Sequence, residues 1–165
     1  MILELSIGAF VLLHVVITLI AIGSGLIVVG GMFASNPLPG TTALFLLTTV
    51  MTSVTGFLFH IHGFTPALGV GVVSSVVLAV ALFAYYRKRL AGAWRWIYVI
   101  TAIVSLYLNV FVLVIQSFRR VGGLDQLAPT QTNEPAYIAA QVLVLAFFVL
   151  AGIVATLKFR PLAPA

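Results

Sequence analysis

The 165-residue chain is 62% hydrophobic, and only 7% of its residues are Asp, Glu, Lys or Arg. With a mean hydropathy of +1.25, this composition excludes an ordinary soluble globular domain. The formal net charge is +5, but the basic residues lie at the ends of apolar segments, which is typical of membrane topology signals rather than of nucleic-acid binding. Because the chain has no cysteine, disulfides, iron–sulfur clusters and thiol chemistry are excluded.

Five apolar segments follow one another along the chain, and each is long enough to cross a bilayer as a helix. The prolines and the glycine of Ser35-Asn-Pro-Leu-Pro-Gly40 end the first segment, because they oppose helix continuation. We predict an all-α membrane protein, a bundle of five transmembrane helices that forms a single transmembrane domain over residues 1–165. The expected spans are about 5–33, 42–60, 66–86, 96–118 and 135–157.

The second and third spans form one long uncharged stretch, from Ala43 to Tyr86. As a single helix it would be roughly 66 Å long, about twice the hydrocarbon core of a bilayer. The chain must therefore turn back within residues 60–66, which carry two of the three histidines. Thr65-Pro66 is typical of a helix start, with a capping residue followed by proline. A similar signal, Asn133-Glu134-Pro135, precedes the fifth span.

The charges predict how the chain is oriented. The loop between the third and fourth spans and the C-terminal tail share one side of the membrane, and together they hold Arg87, Lys88, Arg89, Arg95, Lys158 and Arg160. The positive-inside rule makes that side cytoplasmic, so we expect the N-terminus outside and the C-terminus inside. The opposite side has Arg119 and Arg120, offset by Glu4, Asp125 and Glu134.

Small and weakly polar residues recur at intervals of four on two spans. The second span has Thr48, Thr52, Gly56 and His60 in one row, and the third has Ala67, Gly71, Ser75 and Ala79. Such rows let membrane helices approach closely. They predict either tight packing within this hairpin or an interface between subunits.

The fourth span is the most polar. Ser105, Asn109 and Gln116 share one face of a helix. Gln141 of the fifth span is a candidate partner for Gln116, because both are expected in the outer leaflet. An amide in hydrocarbon needs a partner, so these amides are expected to point into the bundle. They would either join helices or line a cavity for a ligand, a lipid headgroup or a permeant species. No span has a charged residue at mid-membrane, which argues against a pump or a proton-coupled carrier.

The histidines are the only candidates for metal or haem chemistry. In the predicted topology His14, His60 and His62 lie on the outer side. Imidazoles on neighbouring helices could ligate haem b, or His60 and His62 could hold a copper or zinc ion with a carboxylate of the outer loop. The alternative is a His14 bonded to a hydroxyl or carbonyl group, and two histidines in a hydrated turn.

Three stretches carry a resemblance, namely Phe59-His-Ile-His-Gly-Phe-Thr-Pro66, residues 107–116 and Ala128-Pro-Thr-Gln131. They resemble short bacterial integral membrane proteins of no assigned role. The resemblance implies a bacterial inner-membrane location and a multi-span helical bundle, and it brings no catalytic or binding residues. Nothing resembles a Walker loop, a dinucleotide fingerprint, a zinc protease signature or a nucleophile elbow.

From these features we expect a non-enzymatic membrane protein without a cofactor. It would be embedded in the lipid bilayer as a homo-oligomer or as part of a larger membrane complex, without nucleic acid. Its neutral polar core would pack helices or would hold or conduct a small ligand. The alternative is a haem- or metal-binding redox subunit. A membrane enzyme acting on lipid is disfavoured, because the spans contain no acid and no set of nucleophile and base.

Overall fold

A computed structural model describes residues 6–59, 66–129 and 134–161. The described residues contain helices and no strand, and five of the helices are long and apolar enough to span a membrane. They are α1 (Ile7–Phe33), α2 (Pro39–Leu58), α3 (Pro66–Leu82, continued by a π-helical turn at Phe83–Arg87), α4 (Trp94–Arg120) and α6 (Pro135–Lys158), with a short α5 (Leu124–Leu127) before α6. The prediction of five apolar helices is confirmed, and α5 is an addition to it.

The turn between α1 and α2 is a tight connection held by backbone hydrogen bonds. The Asn36 amide donates to the carbonyl of Gly31 at 2.8 Å, and the Ser35 amide donates to the carbonyl of Met32 at 3.2 Å, which together form a Schellman motif. Ser35 takes the left-handed position of that motif, with a φ of 55°. A Cβ on Gly31 would lie 2.8 Å from the Asn36 carbonyl oxygen, so glycine is required for this close return. Pro39 then opens α2, earlier than the predicted start of that span.

Helix α4 is central to the packing. It contacts α1, α2, α3 and α6, whereas α1 packs mainly on α2, and α6 packs mainly on α4. Tyr98, Val99 and Leu106 of α4 are almost completely buried in the shared apolar core. Helix α6 is peripheral, and large apolar side chains such as Leu143 and Leu150 are 71% and 62% exposed. The fold therefore presents a broad apolar surface along α6.

A close crossing of three helices lies at Gly25 of α1. A Cβ at this position would lie 2.6 Å from Leu106 Cδ1 of α4 and 3.0 Å from the ring of Phe45 of α2. At Gly23 the same added atom would meet nothing within 4 Å. Gly25 thus lets α1 approach α2 and α4 closely, and Ala21, one turn earlier, is also fully buried.

The row of small residues on α3 is only partly a packing surface. A Cβ on Gly71 would lie 3.2 Å from Phe57 Cε1 of α2, so this part of the row does face the neighbouring helix. The Ser75 hydroxyl donates to the Gly71 carbonyl of its own helix at 2.9 Å, and Ala79 is exposed. Packing within the hairpin therefore does not extend to Ala79, where the alternative of an interface between subunits stays a prediction. The side chain of Ala67 is outside the described part of the chain.

The buried face of α3 is centred beside the predicted row, on Ser74, Leu78 and Ala81. Leu78 is the large side chain among these positions, and it enters the shared apolar core together with Ala81. Small residues permit close approach on any face of a helix, whereas a large apolar side chain on the core side stabilises one rotation of the helix. The packing of Leu78 in the core therefore explains why the row of small residues on α3 is turned away from the core.

The antiparallel helices bring three segments to one end of the molecule: the α1–α2 turn, the α3–α4 turn and residues 159–161. There the Arg160 amide donates to Ser35 Oγ at 2.8 Å, and the Arg95 guanidinium donates to the Phe159 carbonyl. We call this the basic end, because six of the eight Lys and Arg residues belong to it: Arg87, Lys88, Arg89, Arg95, Lys158 and Arg160. The opposite end has Arg119, Arg120, Asp125 and Glu134.

Candidate functional site

A polar seam joins α1 to α2. His14 Nδ1 lies 2.7 Å from Thr55 Oγ1, and Thr18 Oγ1 lies 3.4 Å from Thr52 Oγ1. The Thr55 hydroxyl also lies 2.7 Å from the carbonyl of Met51 in its own helix. Because a hydroxyl has one proton, the arrangement fits a His14 whose Nδ1–H donates to Thr55 while Thr55 donates to Met51. His14 is thus a hydrogen-bonded residue of a helix contact.

Aromatic packing surrounds the same histidine. Its ring meets Phe59 edge to face at a centroid distance of 5.3 Å, and Phe59 packs on the fully buried Phe10 at 4.8 Å. A Cβ on Gly56 would lie 3.7 Å from His14 Cε1. The predicted row on α2 therefore faces α1 at Thr52 and Gly56, where its residues meet the seam.

The predicted haem or metal set cannot be placed in full. His60 and His62 lie outside the described residues, so their relation to His14 stays a prediction. Within the ranges that the structure describes, no three His, Cys, Asp or Glu side chains lie close enough together to hold a metal ion.

A second polar contact joins α2 to α4. Asn109 Nδ2 donates to Thr49 Oγ1 at 3.5 Å, and both residues are buried. Thr49 in turn donates to the carbonyl of Phe45 at 2.7 Å. Thr48, which the spacing of four singled out, is also buried, but its hydroxyl donates to the Leu44 carbonyl of its own helix at 2.7 Å. Thr49 was missed because two adjacent threonines give no sequence signal for which one faces α4.

Ser105 occupies the same face of α4 as Asn109, as predicted from their spacing. It is completely buried, and its hydroxyl has no hydrogen-bond partner among the described residues. It therefore does not contribute to the α2–α4 contact.

The predicted pairing of Gln116 with Gln141 is wrong. Gln116 is exposed, and its Oε1 accepts from Arg120 Nε at 3.3 Å on the same helix. Gln116 lies in the last turns of α4, where Arg120 at i+4 shares its face of the helix. Gln141 Nε2 instead donates to the carbonyl of Phe111 in α4 at 3.3 Å and to the Tyr137 hydroxyl at 3.2 Å. Gln141 therefore joins α6 to α4 without Gln116.

Two concave regions stand out beside these contacts. A groove of about 440 Å³ runs between α4 and α6, and its wall is almost wholly apolar, with Ile103 and Phe148 among its lining residues. A larger cleft of about 1040 Å³ opens at the basic end. Thr48, Thr52, Ser105, Asn109 and Gln141 line neither of them. Thr52, Asn109 and Gln141 thus take part in separate helix contacts. Thr48 bonds within its own helix, and the Ser105 hydroxyl has no partner among the described residues.

We call the larger opening the basic cleft. It is lined by Pro37, Pro39, Tyr85, Tyr86, Arg89, Leu90, Ala91, Gly92, Arg95, Arg160 and Pro161. Sequence reasoning found the sign of the charge at this end but missed the cleft, because Arg160 is distant in the chain from Arg89 and Arg95. Only the antiparallel packing of the helices brings them together.

Comparison of the chain with models of protein families, with curated proteins and with solved structures finds no match.

Proposed function

We propose that the protein is a non-enzymatic integral membrane protein, a bundle of five transmembrane helices in which buried polar side chains join the helices rather than line a path for a solute. The observation that carries this proposal is the hydrogen bond from Asn109 to Thr49. Through this bond the side-chain amide in the middle of α4 has its partner on another helix. The His14–Thr55 contact and the bond from Gln141 to the Phe111 carbonyl act in the same way between other helices. Bonds of this kind hold membrane helices together.

Hydroxyl groups within the helices support the same function. Ser24, Thr101 and Thr156 each donate to the carbonyl four residues earlier, at 2.6, 2.7 and 2.7 Å. In hydrocarbon such a bond satisfies the hydroxyl without a partner on another helix or a water molecule. Polar residues of this type can therefore be tolerated in a membrane span that conducts nothing.

The proposal includes a location and an orientation. The basic end faces the cytoplasm, because Lys and Arg accumulate on the cytoplasmic side of membrane proteins. The N-terminus is then outside and the C-terminus inside. The resemblance to short bacterial membrane proteins supports the inner membrane of a bacterium as the location.

We further propose that the protein acts as a subunit, in a homo-oligomer or a larger membrane complex, and that α6 is its contact surface. Phe148, Ala151 and Ala155 are the buried residues of this helix, and the apolar groove runs along its border with α4. Membrane helices gain stability when they pack against other helices rather than lipid alone. A helix with so small a buried face leaves most of its surface for a partner.

Cysteine cross-linking in native membranes tests this proposal, because the natural chain has no cysteine. Leu143→Cys and Leu150→Cys place thiols on exposed positions of α6, and Val76→Cys is the matched control, since Val76 of α3 is 61% exposed. We expect oxidation to link the α6 variants to a second copy of the 17.6 kDa chain or to another protein, and to leave the Val76 variant unlinked. Equal cross-linking of all three variants, or none of any, contradicts α6 as the contact surface.

A further inference from the structure

The basic cleft is built from five parts of the chain that meet at one end of the molecule. The α1–α2 turn supplies two prolines, the end of α3 supplies Tyr85 and Tyr86, and the following turn supplies Arg89. Arg95 comes from the first turn of α4, and Arg160 follows α6. The cleft of about 1040 Å³ is large enough for a polar headgroup.

Specific contacts hold the walls of the cleft in place. The backbone amide of Arg160 is bound to Ser35 Oγ, which ties the chain after α6 to the α1–α2 turn. The guanidinium of Arg95 donates to the carbonyl of Phe159, whose side chain is buried in the core. These contacts hold Arg95 and the segment that carries Arg160 at the cleft before any ligand binds.

Among the residues that the structure describes, no carboxylate lines the cleft. The two acidic residues that the structure describes, Asp125 and Glu134, belong to the opposite end of the molecule. A guanidinium has five N–H donors, so Arg95 keeps further donors besides the one that binds the Phe159 carbonyl. Guanidinium groups match the oxygen atoms of a phosphate in geometry as well as in charge.

Lysine does not supply this charge. Lys88 Nζ lies over the rings of Phe83 and Trp94, at 5.5 and 5.4 Å from their centroids, and Lys88 does not line the cleft. A cation–π contact of this kind occupies the ammonium group. Among the described residues, the cations that line the cleft are Arg89, Arg95 and Arg160.

From these observations we propose that the basic cleft binds the phosphate of an anionic lipid headgroup. The proposal rests on the membrane location and the orientation proposed above, which place the cleft at the cytoplasmic ends of the helices, the depth of lipid phosphates. Tyr86 and Trp96, which are 54% and 44% exposed at this end, have the aromatic character found at headgroup level. Tyrosine and proline faces in the cleft provide apolar contact for the glycerol part of the headgroup.

The test compares the full-length protein in nanodiscs of phosphatidylglycerol and of phosphatidylcholine, at about 0.5 M NaCl so that attraction between exposed charges is screened. Thermal unfolding and native mass spectrometry report stabilisation and the number of retained lipids. The double variant Arg89→Gln, Arg160→Gln removes two cations of the cleft. Arg87→Gln, Lys158→Gln is the matched control, because it removes two charges from the same end at residues that do not line the cleft.

We expect wild type and the control to be stabilised by phosphatidylglycerol over phosphatidylcholine and to retain phosphatidylglycerol. We expect the cleft variant to bind it roughly tenfold more weakly, as for the loss of charge-assisted bonds to phosphate. Equal weakening of both double variants, or no preference for phosphatidylglycerol in wild type, overturns the proposal. The single variants Arg89→Lys and Arg160→Lys, which keep the charge but lose the planar fork, give the same comparison should the double variant not fold.

A second experiment distinguishes a lipid headgroup from a soluble phosphate compound as the ligand of the cleft. Glycerol 1-phosphate is titrated into the protein in a neutral detergent, with thermal unfolding as the readout. Stabilisation by this soluble compound without a preference for phosphatidylglycerol in nanodiscs would overturn a lipid headgroup as the ligand. If the subunit proposal fails in the cross-linking experiment, the result here is unaffected, since the cleft lies within one chain.

Discussion

The side-chain amide of Asn109 and the hydroxyl of Thr49 form the polar contact between α4 and α2, at a distance of 3.5 Å. Asn109 is 6% exposed, and Thr49 is fully buried. Thr49 continues the connection by donating to the Phe45 carbonyl, so the amide on one helix is linked to the backbone of the other. The contact gives the most polar buried side chain of α4 a partner and favours one rotation of α4 relative to α2.

This contact predicts a measurable coupling between the two side chains. Asn109→Ala and Thr49→Val should each lower the free energy of unfolding in detergent, because each removes one partner of a buried hydrogen bond. In a double-mutant cycle the coupling energy should be about 0.6 kcal/mol, the average for hydrogen bonds between membrane helices. Gln116→Ala is the control, since Gln116 is exposed and its partner among the described residues is Arg120 of the same helix. Strictly additive effects of the two substitutions would contradict the contact.

The close crossing at Gly25 predicts a large difference between two glycines of one helix. Gly25→Ala should destabilise the fold by about 1–3 kcal/mol, because the added methyl group overlaps Leu106 and Phe45. Gly23→Ala should be neutral or stabilising by up to about 1 kcal/mol, since alanine favours a helix and the added atom meets nothing. Thermal unfolding of both variants in the same detergent measures the difference. Similar effects of both substitutions would show that α1 does not pack closely at Gly25.

The environment of His14 predicts that it packs helices. Thr55→Val, which removes only the hydroxyl partner, should lower stability by about 0.5–1.5 kcal/mol, and His14→Ala should lower it more by also removing the contact with Phe59.

An absorption spectrum and a metal analysis of the purified protein test the redox alternative. A Soret band that His14→Ala removes would identify haem. That result would contradict the packing role of His14. Near-stoichiometric metal that disappears with His60→Ala or His62→Ala would instead identify a metal site at the turn after α2 and support the redox alternative.

The proposed orientation predicts opposite accessibility of two loops. Ala91→Cys and Gly122→Cys are suitable probes, because both positions are exposed, whereas the adjacent Gly92 and Gly123 have φ values of 54° and 96° that a cysteine would strain. A membrane-impermeant maleimide added to spheroplasts should label the cysteine at 122, and label the cysteine at 91 only after permeabilisation. The fully buried Ala84, changed to cysteine, serves as the unlabelled control. Labelling of both loops from the same side would contradict the five-span topology.

The positions of the five long helices could be predicted from the sequence, because hydropathy adds up over some twenty neighbouring residues and needs no tertiary information. The sequence also predicted that α3 and α6 begin at a proline and that α1 ends near Phe33. These signals act through the local backbone. The inward position of Asn109 was predictable as well, because an amide in an apolar helix requires a partner wherever that partner lies.

The choice of partners was decided only by the tertiary structure. Asn109 donates to Thr49 rather than to Thr48. Gln141 binds a backbone carbonyl instead of Gln116, and Ala79 faces away from the core. Each of these outcomes depends on how far a helix is rotated about its axis, and small residues permit several rotations. The rotation is determined by large side chains such as Leu78, which pack against helices distant in sequence. The basic cleft has the same origin, because Arg160 approaches Arg89 and Arg95 only when the helix ends are brought together.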